Sequence, residues 1–130
     1  MSPPEKDRLL GFFGAAVEAV DPARLVANAL RVEGDAVVLD APGVRAEIPL
    51  SSLWKIHLVG AGKAGRAMGE AALAALGKRV AGGVIAVPRG AEGASGPVRF
   101  AAASHPVPDI FSLAAAREID PDIGLLMITG

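Results

Sequence analysis

Cysteine is absent from the 130 residues. That excludes a disulfide frame and a thiolate metal site. Neither sign of charge dominates. Thirteen Lys and Arg stand against fourteen Asp and Glu, and no basic block argues for nucleic acid as a partner. No stretch of about twenty apolar residues occurs, so no membrane-spanning helix is expected. The opening, Met1 to Arg8, is polar and proline-bearing, unlike a secretory signal, and a cytoplasmic location is expected. Internal repeats and low-complexity tracts are missing as well.

What is present suits a folded domain. Hydrophobic residues make up 52%, too many for a disordered chain. The length fits one domain that removes about two-thirds of its unfolded surface from water. Leu9, Leu10, Phe12, Phe13, Ala16, Val17 and Val20 recur at helical spacing after Pro3-Pro4. Asp21-Pro22 predicts a cap and first turn for a second helix running to about Leu30. Ala29 to Val32 and Ala36 to Leu39 flank the turn signal Gly34-Asp35. With Pro42-Gly43 as a second turn, residues 30–50 read as a small antiparallel excursion.

From Leu53 onward the pattern becomes β-α-β-β-α-β. Leu53 to Val59 is a β-rich run, with Trp54 and His57 expected to pack in a core or interface. Lys63 to Leu76 is predicted helical, with a small-residue face at Ala64, Ala67, Met68, Ala71, Ala72 and Ala75 and a stop at Gly77. Val80 to Val87 is a strand interrupted by Gly82-Gly83. Arg89 to Pro97 is a glycine-rich loop, and Val98 to Ala103 a further strand. Ser112 is predicted to cap a helix to about Ile119. Ile123 to Thr129 reads as a buried parallel strand. The expected class is α/β: a Rossmann-like, mostly parallel sheet flanked by helices. The sequence stops at the exit of that last strand, where ligand sites of such sheets lie. It is therefore read as cut short.

Gly60-Ala61-Gly62-Lys63-Ala64-Gly65 matches G-x-G-x-x-G between a strand and a helix. Such glycines allow a sharp turn and bring backbone N–H groups near an anion at a helix start. A dinucleotide fold would place an acid at the end of the next strand. Val87-Pro88-Arg89 has none. Lys63, expected in the first helical turn, is locally unfavourable beside the positive end of the dipole unless an anion sits there. Arg66 reads as a solvated face residue. His105-Pro106-Val107-Pro108-Asp109 also follows a strand and precedes a helix, so it belongs to the same sheet edge. It is either a stiff segment presenting His105 and Asp109 to a substrate, or a proline-stiffened turn whose aspartate bonds local backbone.

Taken together, Gly60 to Ala64, Met68, Gly83-Val84 with Pro88, Ser104 to Asp109 with Ser112, and the strand reaching Thr129-Gly130 resemble the amino-terminal domain of glycerate 2-kinase. In that family the domain precedes a leucine-rich module named MOFRL, and some members are labelled hydroxypyruvate reductase. The resemblance implies ATP-dependent phosphorylation of glycerate at its 2-hydroxyl, with Mg²⁺ accompanying ATP. Lys63 would be catalytic, and Gly60, Gly62 and Lys63 would hold the nucleotide phosphates. Ser104, His105 and Asp109 would face the substrate. Residues 1–130 would then be an incomplete catalytic domain lacking its second domain. No protein-built metal site is implied. The other reading of the glycine loop is an NADP-linked hydroxypyruvate reductase with Arg89 near a 2′-phosphate. A non-catalytic remnant is a third.

Overall fold

A computed structural model describes residues 1–105, 107–118 and 126–129. The chain opens with α1 (Pro3–Ala19), where the Ser2 N–H donates to Glu5 Oε2 at 2.8 Å. α2 (Pro22–Ala29) follows, with Asp21 Oδ1 accepting from the Arg24 N–H at 2.9 Å, as the Asp-Pro start requires. Neither helix has a fully buried residue, but α2 packs on α3 (Gly65–Leu76) with Val26 half-buried, whereas α1 is exposed along its length, Phe12 and Phe13 at 68% and 69%.

The antiparallel excursion is a three-stranded meander: β1 (Leu30–Glu33), β2 (Ala36–Ala41) and β3 (Val44–Pro49). Its tight turns place Gly34 and Gly43 at positive φ, 57° and 80°. Leu30 and Val37 carry this small sheet into the same core as the main one.

The main sheet contains β4 (Ile56–Ala61), β5 (Val80–Pro88), β6 (Gly93–Ser95), β7 (Val98–Ala103) and β8 (Leu126–Thr129). Their order is β6-β7-β5-β4-β8. All neighbours are parallel except β6 with β7. This is the α/β class that the alternation of elements predicts. α3 and α4 (Ile110–Glu118) lie on opposite faces. A side chain added at Gly69 of α3 would strike Phe100, while Glu118 of α4 pairs with Arg99. Successive strand residues point to opposite faces, so the two helices sandwich β7. Leu58, Ile85, Val87, Val98 and Phe100 fill the interior with Leu76 of α3.

Several local expectations need correction. Trp54 is 94% exposed, because β4 begins only at Ile56 and Trp54 lies in the connector after a 3₁₀ turn (Leu50–Ser52). His57 is half-buried in β4, against Gly82. β5 runs unbroken through Gly82-Gly83. The register instead slips by one residue, Ile56 pairing Val80 and His57 pairing Gly82, and the strand absorbs the extra Ala81 as a bulge. The loop after Arg89 contains β6, too short and glycine-rich to announce itself. On α3 the buried positions are Gly65, Gly69, Ala72 and Leu76, a stripe rotated from the alanine face, since the glycines allow the closest approach to the sheet. Gly77 does end α3, at φ 59°. Ile119 to Leu125 lie outside the described residues, as does Gly130.

Gly83 has the tightest surroundings. A Cβ there would stand 2.2 Å from Leu58 O, a backbone atom that cannot swing away. At Gly82 the nearest atom is His57 Nδ1, 3.3 Å off and movable. Gly83→Ala should therefore destabilise the fold by about 1–3 kcal/mol or more, the range for overpacking. Gly82→Ala should cost at most about 1 kcal/mol. Urea unfolding of both variants checks this; equal midpoints would contradict the β4–β5 register.

Candidate functional site

Because β4, β5 and β7 are parallel, their carboxyl ends share one edge. The Gly60–Lys63 loop leaves β4 there, and Ser104-His105 leaves β7 there. Between them lies a cleft of about 270 Å³, lined by Gly62, Lys63, Pro88, Ser104, His105 and Pro108, with Ser112 and Ala116 of α4 behind. The two stretches singled out in the sequence thus face one cavity.

The loop's geometry rests on Gly62, at φ 140°, a value that a side chain disfavours. Its N–H donates to Ala86 O at 3.1 Å, pinning the loop to β5, and its carbonyl accepts from the Gly65 N–H at 3.1 Å. The N–H groups of Lys63 and Ala64 have no backbone acceptor among the described residues. Gly60 is buried at the end of β4 and shapes the exit. α3 starts at Gly65 with Ala64 as its N-cap and no capping side chain. Lys63 therefore precedes the helix instead of lying in its first turn. Its side chain is exposed at the cleft, near the partial positive charge of an uncapped helix start.

The opposite rim is built around Asp109. Its Oδ1 accepts from the N–H groups of Phe111 at 2.9 Å and Ser112 at 3.1 Å. Asp109, not Ser112, is the N-cap of α4. Ser112 Oγ reaches back, accepting from the N–H of Asp109 at 3.3 Å and of Ser104 at 3.0 Å. Asp109 Oδ2 accepts from the Ser104 hydroxyl and from Arg89 Nη2, the latter at 3.0 Å. The Ser104 hydroxyl, the Ser112 and Phe111 N–H groups and the Arg89 guanidinium together hold the carboxyl at about 2, against desolvation that pushes the other way. Ser104 is half-buried and lines the cleft, and His105 is exposed on it. Asp109 does not line the cleft; its oxygens serve the chain itself. Pro106 lies outside the described residues.

Two arginines read differently in the structure. Arg66 does not wave in solvent. It donates to Ala91 O at 2.8 Å and Glu92 O at 3.0 Å, pairs with Glu70 at 3.1 Å, and lies 5.2 Å from the Phe100 ring centre. It ties the 89–97 loop to α3, a long-range contact with no local sequence signal. Arg89 stacks on the Phe111 ring at 4.3 Å while pairing with Asp109. Among the described residues no group of three or more His, Asp or Glu is placed to hold a metal ion. No described helix is long and apolar enough to cross a membrane.

The fold and cleft define an α/β domain with a cation and a hydroxyl on facing rims of a sheet-edge cavity. The chain belongs to the family described as a domain of unknown function, DUF4147, which matches residues 8–123. Among solved structures it is similar to the PH0495 protein from Pyrococcus horikoshii OT3, at 29% identity and a TM-score of 0.70 over 91% of this chain. The match spans 25% of that protein's chain. No curated protein matches.

The Asp109 network carries a signed pH dependence. Its carboxyl is lowered from 3.8 to about 2 on folding, so the stabilisation is complete above about pH 4 and is lost as pH falls through about 2. Carbon-detected NMR of the Asp109 side chain should give a midpoint near 2. A midpoint at 3.8 or above would show that the cap and the Ser104 bond do not persist in solution.

Proposed function

We propose that this chain is the amino-terminal catalytic part of a glycerate 2-kinase that transfers phosphate from ATP to the 2-hydroxyl of glycerate. The observation that carries the proposal is the shared cleft: Lys63 on one rim, Ser104 and His105 on the other. Phosphoryl transfer needs positioning and charge neutralisation more than covalent chemistry. A lysine beside a helix start, with the loop N–H groups of Lys63 and Ala64 nearby, suits the developing charge on phosphoryl oxygens.

The cleft's volume fits part of the substrate set. At about 270 Å³ it falls just below the ~300–1,000 Å³ of pockets that enclose whole small molecules. It matches a three-carbon acid with a phosphoryl group. In this reading the rest of the nucleotide binds outside it, against chain corresponding to the remainder of a PH0495-length protein. Lys63, with Gly62 shaping the turn, would hold the phosphates, and Mg²⁺ bound to them needs few protein ligands. When bound, ATP supplies the phosphoryl group; Lys63 neutralises charge on it, and Ser104 and His105 orient the acid. Asp109 acts one step back, by fixing Ser104.

The G-x-G-x-x-G spacing favours one other reading, the NADP-linked reductase. Gly65 indeed sits close against β5, where a Cβ would stand 2.9 Å from Ile85 Cγ2. Yet the arginine that would meet a 2′-phosphate is paired with Asp109 and stacked on Phe111.

In a protein joining this domain to the remainder, Lys63→Ala should lower turnover with Mg-ATP and glycerate by about a hundredfold to a thousandfold, with much less change in glycerate affinity. Lys63→Arg should rescue only in part. Steady-state kinetics, with circular dichroism to verify folding, tests this. Turnover within a few-fold of the parent would remove Lys63 from the chemistry, and NADPH-dependent reduction of hydroxypyruvate in place of phosphorylation would favour the reductase.

A further inference from the structure

The direction of one hydrogen bond sets what the cleft can recognise. Asp109 is an ionised carboxylate, and ionised carboxylates only accept hydrogen bonds. Its Oδ1 is held by two backbone N–H groups and its Oδ2 by Arg89 at 3.0 Å. The bond between Ser104 Oγ and Asp109 Oδ2 therefore has the serine as donor. A serine has one hydroxyl proton. With that proton committed to Asp109, Ser104 Oγ has only lone pairs left. No donor among the described residues reaches them, although Ser104 lines the cleft.

From this we infer that Ser104 Oγ is a specificity-determining acceptor, taking a hydrogen bond from a hydroxyl of a small anionic ligand whose charge lies toward Lys63. The inference rests on the reading of the cleft as the acid-binding site. It adds which group of the ligand each rim reads. A bare carboxylate or phosphate oxygen is an acceptor and gains nothing from a second acceptor at Ser104. A hydroxyl gains a bond. The site thus separates hydroxy acids from acids of the same size without the hydroxyl.

Asp109 makes the arrangement unidirectional. Were it protonated, Ser104 would be free to turn and donate into the cleft. Its carboxyl stays ionised through the neutral range, since its pKa is held at about 2. Arg89 contributes by position. Stacked 4.3 Å from the Phe111 ring centre, it holds its charge against Oδ2 and bridges the end of β5 to the start of α4.

The test uses the 130-residue chain and two probes, glycerate and propionate, titrated at neutral pH with amide NMR shifts as readout. Glycerate, with two hydroxyls where propionate has none, should bind at least about three- to tenfold tighter, the range for the one neutral hydrogen bond at Ser104. Ser104→Ala should cut that preference about three- to tenfold by weakening glycerate alone, and Ser104→Thr, which keeps the hydroxyl, should preserve it. A Ser104→Ala variant that still prefers glycerate as strongly as the parent overturns the inference, while leaving the cleft as the acid site. Equal affinity for both probes in the parent does the same. Absence of any saturable shift at residues 62–65 and 103–105 with either probe overturns the cleft reading itself, and the inference with it.

Discussion

α3 lies close enough to the sheet for its start to meet the cleft because two of its sheet-facing residues have no side chains. A Cβ at Gly65 would stand 2.9 Å from Ile85 Cγ2. At Gly69 it would stand 2.4 Å from Ile85 Cδ1 and 3.0 Å from Phe100 Cε1. Close contact of this kind leaves no room for even one added methyl without movement. The helix is thereby drawn onto β5 and β7, and its first turn falls at the carboxyl ends of the strands. Lys63 stands at the cleft because Gly65 and Gly69 permit the helix to lie there. The Gly62 N–H bond to Ala86 O adds the final restraint on the loop.

The second rim depends on a different kind of restraint. Among the described residues it has little apolar packing: Val107 and Ile110 are exposed, and Phe111 is stacked by the Arg89 guanidinium. Order comes from the Asp109 carboxylate, which collects backbone, hydroxyl and guanidinium donors from both ends of the turn. A carboxylate is suited to this because it can accept several bonds at once, and charge-assisted bonds are the stronger ones. The two rims are thus held by unlike means, close packing on one side and a polar network on the other. Substitutions at Gly65 should be felt throughout the fold, and those at Asp109 mainly at the cleft.

Much of this was legible in the sequence, for physical reasons. The Asp21-Pro22 helix start, the antiparallel excursion and the Val98 to Ala103 strand depend on local chemistry, and they stand where the residues place them. The shared edge of the two candidate segments followed from parallel topology alone. What was not legible depends on distant partners. Trp54 reads as core because it adjoins an apolar run, yet the strand starts two residues later and the side chain is exposed. Arg66 reads as solvated because its acceptors are carbonyls some twenty-five residues away. The Gly83 approach to Leu58 and the bulge beside it arise only when β4 meets β5. At Asp109 the sequence leaves two roles open; in the structure its carboxylate bonds the turn, Ser104 and Arg89.

In the proposed reading, the cleft between Lys63 and Ser104 binds a small phosphorylated acid. The most direct measurement is amide shift mapping of the 130-residue chain titrated with 2-phosphoglycerate, which joins the proposed acid and phosphoryl group in one ligand. Saturable shifts are expected at Gly62 to Gly65 and at Ala103 to His105, on the carboxyl edge of the sheet. Shifts confined to the other edge, around Lys55 and Arg79, or no saturable shifts at all, would contradict it.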